Sequence, residues 1–151
     1  MPGHLSRASD TPSPSESIHF TFTGGRAGIS CTGAGAAGRL LLLGNPNSGK
    51  TTLFNRLCGL RAKTANFPGT TADLRAGRLL GGHPGGPVEV VDLPGLYSLD
   101  LDLPESRVAR SALEARAGRG EDLVVVVADA TNLARHLRLV GELRRSGRAC
   151  L

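Results

Sequence analysis

Gly44-Asn45-Pro46-Asn47-Ser48-Gly49-Lys50-Thr51 matches G-x-x-x-x-G-K-[ST] at every fixed position. The pattern has a direct physical reading. Glycine at each end lets the backbone wrap an anion with its N–H groups turned inward. Lys50 sets a positive charge against the β- and γ-phosphates of a nucleotide, and the Thr51 hydroxyl can ligate Mg²⁺. The flanks agree with this. Arg39-Leu40-Leu41-Leu42-Leu43 reads as a short, fully buried strand, and residues 51–60 read as a helix with Leu53, Phe54, Leu57 and Leu60 on one side. A helix N-terminus, with its partial positive charge, then stands under the bound anion. A chance glycine turn has no reason to carry strand before and helix after. The stretch therefore predicts a nucleoside phosphate held by residues 44–52, Thr52 included.

Downstream, Val88-Glu89-Val90-Val91 reads as a strand ending at Asp92, and Asp92-Leu93-Pro94-Gly95 follows as D-x-x-G. An aspartate at the carboxyl end of a buried strand beside a phosphate loop is placed to hold Mg²⁺, directly or through water. Gly95 offers a backbone N–H to the γ-phosphate that can swing away when that phosphate leaves, and Leu93 and Pro94 belong to the same loop. On its own, D-x-P-G is an ordinary strand-end turn. After a phosphate loop and an apolar strand, the nucleotide reading is the stronger.

The remaining segments suggest how the sheet is built. Residues 61–71 read as an irregular loop, and residues 74–80 as a strand that turns through glycines and prolines into a hairpin with 88–91. Pro104 opens a helix capped near Asp102 that runs to about Ala117. Leu123-Val124-Val125-Val126-Val127-Ala128 has the continuous apolar character of a strand covered on both faces. Asn132 reads as the N-cap of a last helix with Leu133, Leu137, Val140 and Leu143 on its apolar side, and residues 148–151 as the opening of another strand. The expected fold class is α/β, three layers around a mostly parallel sheet.

Composition bounds the rest. A chain of 151 residues makes about one domain. Aromatic residues are only 3% and tryptophan is absent, so leucine, valine and alanine must build the core. The net charge of +5 invites a nucleic-acid partner, but Lys50 and Lys63 are the only lysines and the arginines are scattered rather than gathered; no nucleic acid is expected. Cys31, Cys58 and Cys150 are odd in number and far apart, which argues against a disulfide framework or a zinc site and for a reducing compartment. Cys58 reads as a small core residue, and His4, His19, His83 and His136 as surface residues. No apolar run approaches the roughly 18 residues that span a bilayer, and the N-terminus lacks the regions of a signal peptide, so the chain alone is expected to be soluble. Residues 1–36, rich in proline, serine and glycine, read as a disordered tail and linker, with the alternation in Ile18-His19-Phe20-Thr21-Phe22-Thr23 a chance pattern. Residues 37–151 read as the folded domain.

Several stretches together resemble one family: residues 44–55, Asn66-Phe67-Pro68-Gly69-Thr70-Thr71, Asp92-Leu93-Pro94-Gly95-Leu96-Tyr97-Ser98-Leu99, residues 104–110, and Asp129-Ala130-Thr131-Asn132-Leu133. It is that of the ferrous iron transport protein B (FeoB) GTPases, in their N-terminal G domain. The resemblance implies a P-loop NTPase fold of the Ras-like kind that binds GTP or GDP with Mg²⁺ and hydrolyses GTP slowly. It also implies a place on the cytoplasmic side of the inner membrane, beside a membrane portion that carries Fe²⁺. By match, Lys50, Thr71 and Gly95 would serve catalysis, and Thr51, Thr71 and Asp92 would hold Mg²⁺. Asn47 falls where potassium-stimulated relatives use an asparagine to hold K⁺. Leu96 stands where many GTPases carry a water-orienting glutamine, which implies slow intrinsic turnover. The guanine-reading N-x-x-D motif is not among these residues, so the G domain reads as partial, truncated before that motif. Two other readings are a soluble ribosome- or RNA-associated GTPase and an inert remnant.

Overall fold

A computed structural model describes residues 18–23, 26–31, 38–59, 63–66, 73–81, 86–115, 121–148 and 150–151. The leucine run after Gly38 is strand β3 (Gly38–Leu43), where β1 (Ile18–Thr23) and β2 (Arg26–Cys31) precede it. Leu41, Leu42 and Leu43 are wholly buried, because both faces of the strand are covered. On one face Leu42 and Val90 pack against Phe54 and Cys58 of helix α1 (Lys50–Cys58). On the other, Leu41, Leu43, Val91 and Val124 meet Val108, Ala109, Ala112 and Leu113 of α2 (Pro104–Glu114) and Leu139 and Leu143 of α3 (Leu133–Arg145). This is the expected three-layer α/β/α arrangement.

The sheet runs β4 (Lys63–Asn66), β5 (Asp73–Arg78), β6 (Val88–Asp92), β3, β7 (Glu121–Val126). The expected parallel pairing holds at its centre, and the sheet as a whole is mixed. β3 pairs in parallel with β6 (Leu42 opposite Asp92) and with β7 (Leu43 opposite Val126), whereas β4, β5 and β6 are joined antiparallel. The reason is connection length: a helix lies between β3 and β6 and between β6 and β7, but only a short connection links β5 to β6. Residues 150–151, in the stretch expected to open a further strand, start to pair on β7, with Val126 N–H donating to Leu151 O at 2.8 Å.

Several expectations are corrected. Residues 18–23 are a strand, paired antiparallel with 26–31 from Ile18–Cys31 to Thr23–Arg26. The alternation of Ile18-His19-Phe20-Thr21-Phe22-Thr23 leading into Gly24-Gly25 is a hairpin signal, and the glycine-rich surroundings hid it. The rest of the expected tail at residues 1–36 lies outside the described residues. Residues 63–66 are a strand where a loop was expected; Lys63-Thr64-Ala65-Asn66 has no apolar alternation, and the ladder to β5 is made by the backbone. Helix α2 begins at Pro104 with its N-cap at Leu103, next to Asp102 as expected, but ends at Glu114; Asp102 pairs with Arg107 at 2.6 Å. Asn132 is the N-cap of α3 as expected but makes no side-chain cap hydrogen bond, and Asp129 accepts from Thr131 N–H in the turn before the helix.

The face of α3 is also corrected. Leu133 and Leu137 are about half exposed (48% and 52%), and His136, Leu139, Glu142 and Leu143 are buried. The helix carries two apolar stripes, and the inner one contains a histidine and a glutamate, so a hydrophobic pattern alone selects the wrong one. His136 is thus buried rather than on the surface. On β7, Val124 is covered but Leu123 is 41% exposed, so that strand is not fully buried on both faces.

Candidate nucleotide-binding site

Residues 44–49 cross from the end of β3 to the start of α1. Ser48 N–H donates to Asn45 O at 3.3 Å, and Gly49, at φ 86°, opens the helix in a conformation that a side chain would strain. The turn brings Lys50 and Thr51 to the carboxyl end of β6. Lys50 Nζ lies 2.9 Å from Asp92 Oδ1, and Thr51 Oγ1 donates to Asp92 Oδ2 at 2.9 Å. Lys50 and Asp92 are both buried.

The Asp92 loop is tied to the phosphate loop through its backbone. Leu93 N–H donates to Leu42 O at 3.2 Å and Leu96 N–H to Gly44 O at 3.1 Å. Gly95 backs onto Pro46: a Cβ on Gly95 would stand 2.9 Å from Pro46 Cα, a separation that backbone atoms cannot accept without moving apart. The two loops can approach this closely only because residue 95 has no side chain. Leu96 is buried in the core beneath them.

A cleft of about 660 Å³ opens here, lined by residues 45–52 and by Asp73, Pro94, Gly95 and Glu105. Every expected phosphate-loop residue from Asn45 to Thr52 lines it, as do Pro94 and Gly95. Gly44, Asp92 and Leu93 are buried beneath the loops. Thr71 lies outside the described residues. Asp73 and Glu105 are not among the expected site residues: Asp73 is the first residue of β5, and Glu105 is the second of α2, within the stretch 104–110 that carries the resemblance. Asn45 Nδ2 and Oδ1 and Ser48 Oγ are buried without hydrogen-bond partners among the described residues. Buried polar atoms are normally paired, so this loop is short of partners that a ligand or ordered water would supply.

The donor set fits a nucleotide with a divalent cation. Lys50 is a cation at a helix N-terminus, and Thr51 and Asp92 present the hard hydroxyl and carboxylate oxygens that Mg²⁺ prefers. Asn47, with φ 63°, is exposed at the rim. Cys58, by contrast, is chemically quiet: burial, helped by the charge of Asp92, pushes its thiol up to about 11.

Phosphate loop, buried lysine and strand-end aspartate on a mixed α/β/α sheet define a P-loop G domain. The chain belongs to the ferrous iron transport protein B family, whose model matches residues 38–151. It is 40% identical over 114 residues to the Fe(2+) transporter FeoB of Legionella pneumophila (strain Lens), covering 72% of this chain and 14% of that protein. Against the Fe(2+) transporter FeoB of Salmonella typhimurium it is 40% identical over 115 residues, covering 73% and 14%. Among solved structures it resembles a mutant of S. thermophilus NFeoB bound to GDP (TM-score 0.64, 39% identity, 74% of this chain and 41% of that one). It also resembles the cytosolic domain of the T. maritima FeoB iron transporter in a GDP form (TM-score 0.65, 34% identity, 74% and 42%). The chain thus spans about one seventh of the length of these curated relatives (14%). No described helix is long and apolar enough to cross a membrane.

Proposed function

We propose that this domain binds GTP and GDP and hydrolyses GTP slowly, on the cytoplasmic side of the inner membrane, in a protein whose membrane portion takes up Fe²⁺. The observation that carries the reading is the cluster of buried Lys50 and Asp92 with Thr51, beside Gly95 at the mouth of the phosphate loop. Relatives of the same family with GDP bound support the choice of nucleotide.

Lys50 neutralises charge on the β- and γ-phosphates, and the Gly95 N–H donates to the γ-phosphate. Thr51 and Asp92, with Thr71, hold Mg²⁺, which supplies further charge neutralisation on the phosphate oxygens. Asn47 offers an amide oxygen to K⁺. Water attacks the γ-phosphorus in line, and the bond to the bridging oxygen of GDP breaks. The test is titration of the purified chain with a fluorescent GDP analogue, with GTP and ATP as competitors. Saturable binding displaced by GTP is the expected result. No saturable binding, or displacement by ATP at lower concentration than GTP, overturns the assignment.

A slow turnover follows from where the side chain of residue 96 lies. Leu96 is 3% exposed and faces the core, so its side chain cannot order a water at the γ-phosphate. Leu96→Gln is therefore expected not to accelerate hydrolysis. Burying an amide there should destabilise the fold by about 2 kcal/mol. Single-turnover hydrolysis and urea unfolding measure the two effects; a tenfold faster reaction at unchanged stability would refute this account.

A further inference from the structure

One buried charge lies outside the nucleotide cleft and connects to it. Glu142 of α3 is 4% exposed, within the stripe that also buries Leu139 and Leu143. Its carboxylate has three donors. Ser98 Oγ donates to Oε1 at 2.7 Å, Arg138 Nε donates to Oε1 at 3.1 Å, and the Leu99 N–H donates to Oε2 at 2.6 Å. Burial pushes the Glu142 carboxyl up, but these three donors more than offset it and hold it below the ordinary 4.5, so it is ionised at neutral pH.

Ser98 and Leu99 belong to the segment that leaves Gly95. That segment is pinned at its other end by Leu96 N–H on Gly44 O, so it runs from the phosphate loop to α3 within a few residues. Along α3 it is attached at three places. The Arg135 guanidinium lies 5.0 Å from the centre of the Tyr97 ring, Glu142 takes Ser98 and Leu99, and Arg145 lies 3.6 Å from Asp100. Residues 135, 142 and 145 follow one helix face. The outer two contacts are solvent-exposed and weak. The middle one is buried and made to an ionised carboxylate, and it is the strong one.

We infer that Glu142 is a positioning residue for GTP: by clamping Ser98 and Leu99 to α3 it fixes where the Gly95 N–H stands against the γ-phosphate. This rests on the GTPase reading above. Because GDP has no γ-phosphate, the clamp contributes to GTP binding and hydrolysis and not to GDP binding. A role in stability alone would give no such difference.

The test uses the 151-residue chain with Glu142→Gln, which keeps the shape but leaves one acceptor oxygen where two were used. Affinities for a fluorescent GDP analogue and a non-hydrolysable GTP analogue are compared with the parent's. GDP affinity should stay within about twofold, while preference for the GTP analogue over GDP and the single-turnover rate each fall on the order of tenfold, the worth of one hydrogen bond to a charged group. Ser98→Ala removes the bond from the loop side without disturbing α3 packing and should shift the same ratio in the same direction, so the test stands even if Glu142→Gln does not fold. Equal changes for both nucleotides, or an unchanged ratio in a folded variant, overturn the inference. If instead the parent chain binds no guanine nucleotide, it is the GTPase reading that has failed.

Discussion

Lys50→Ala is expected to weaken binding of a fluorescent GDP analogue by about 100-fold or more. The lysine is buried with its Nζ at the mouth of the phosphate loop, where water competes poorly for the phosphate oxygens. A hydrogen bond to a charged partner is worth about 1.5–3 kcal/mol, and the upper end applies where both partners are ionised and shielded. Each 1.4 kcal/mol is a factor of ten, so about 3 kcal/mol gives the stated loss. The same change strips Asp92 of its cation while Thr51 remains its neutral partner. Breaking a buried pair from one side costs about 3–5 kcal/mol, and the open cleft favours the lower figure. Lys50→Ala should thus lower the urea midpoint of the free chain as well. A GDP affinity within about threefold of the parent would remove the lysine from the binding site.

The largest effect on stability is expected at a site that touches no nucleotide. Arg39 of β3 is 1% exposed, and its guanidinium is held by Asp122 of β7, with Nε–Oδ1 at 3.0 Å and Nη2–Oδ2 at 2.6 Å. The same Nη2 donates to the carbonyls of Ala112 and Ala115 at the end of α2, where a cation is favoured by the helix dipole. One side chain therefore ties two parallel strands to the helix above them. Asp122→Ala leaves that buried cation without its counter-ion and is expected to cost about 3–5 kcal/mol, a large part of a small domain's stability. Urea unfolding measures it. Replacing both partners, as Arg39→Leu with Asp122→Ala, should recover much of the loss, since no charge is then left buried alone. If the single variant unfolds at the parent's midpoint, the pair has no such role.

Much of this molecule was legible in advance because its chemistry is local. The phosphate loop needs glycine, lysine and threonine at fixed spacing, and those residues act within one strand-turn-helix. The leucine run of β3 and the hairpin of β5 and β6 were likewise readable, and the strand-end aspartate could be found from the strand that carries it. The misreadings share another property. Asn132 stands at the N-cap of α3 as its residue type suggests but makes no side-chain cap bond, and Asp102, next to the N-cap residue Leu103 of α2, pairs with Arg107 instead. On α3 the pattern favoured Leu133 and Leu137, and packing chose the stripe with His136 and Glu142. The backbone-made edge strand at 63–66 left little trace in its side chains.

By itself, then, the sequence determined the family, the α/β class and the place of the P-loop, because each depends on backbone conformations that particular residues impose on their neighbours. Only the tertiary structure decided which polar groups are buried and what satisfies them. Glu142 meets Ser98 across 44 positions, Lys50 meets Asp92 across 42, and Arg39 meets Asp122 across 83. A buried charge is tolerated only where the folded chain brings it a partner, and no local pattern records where that partner will come from.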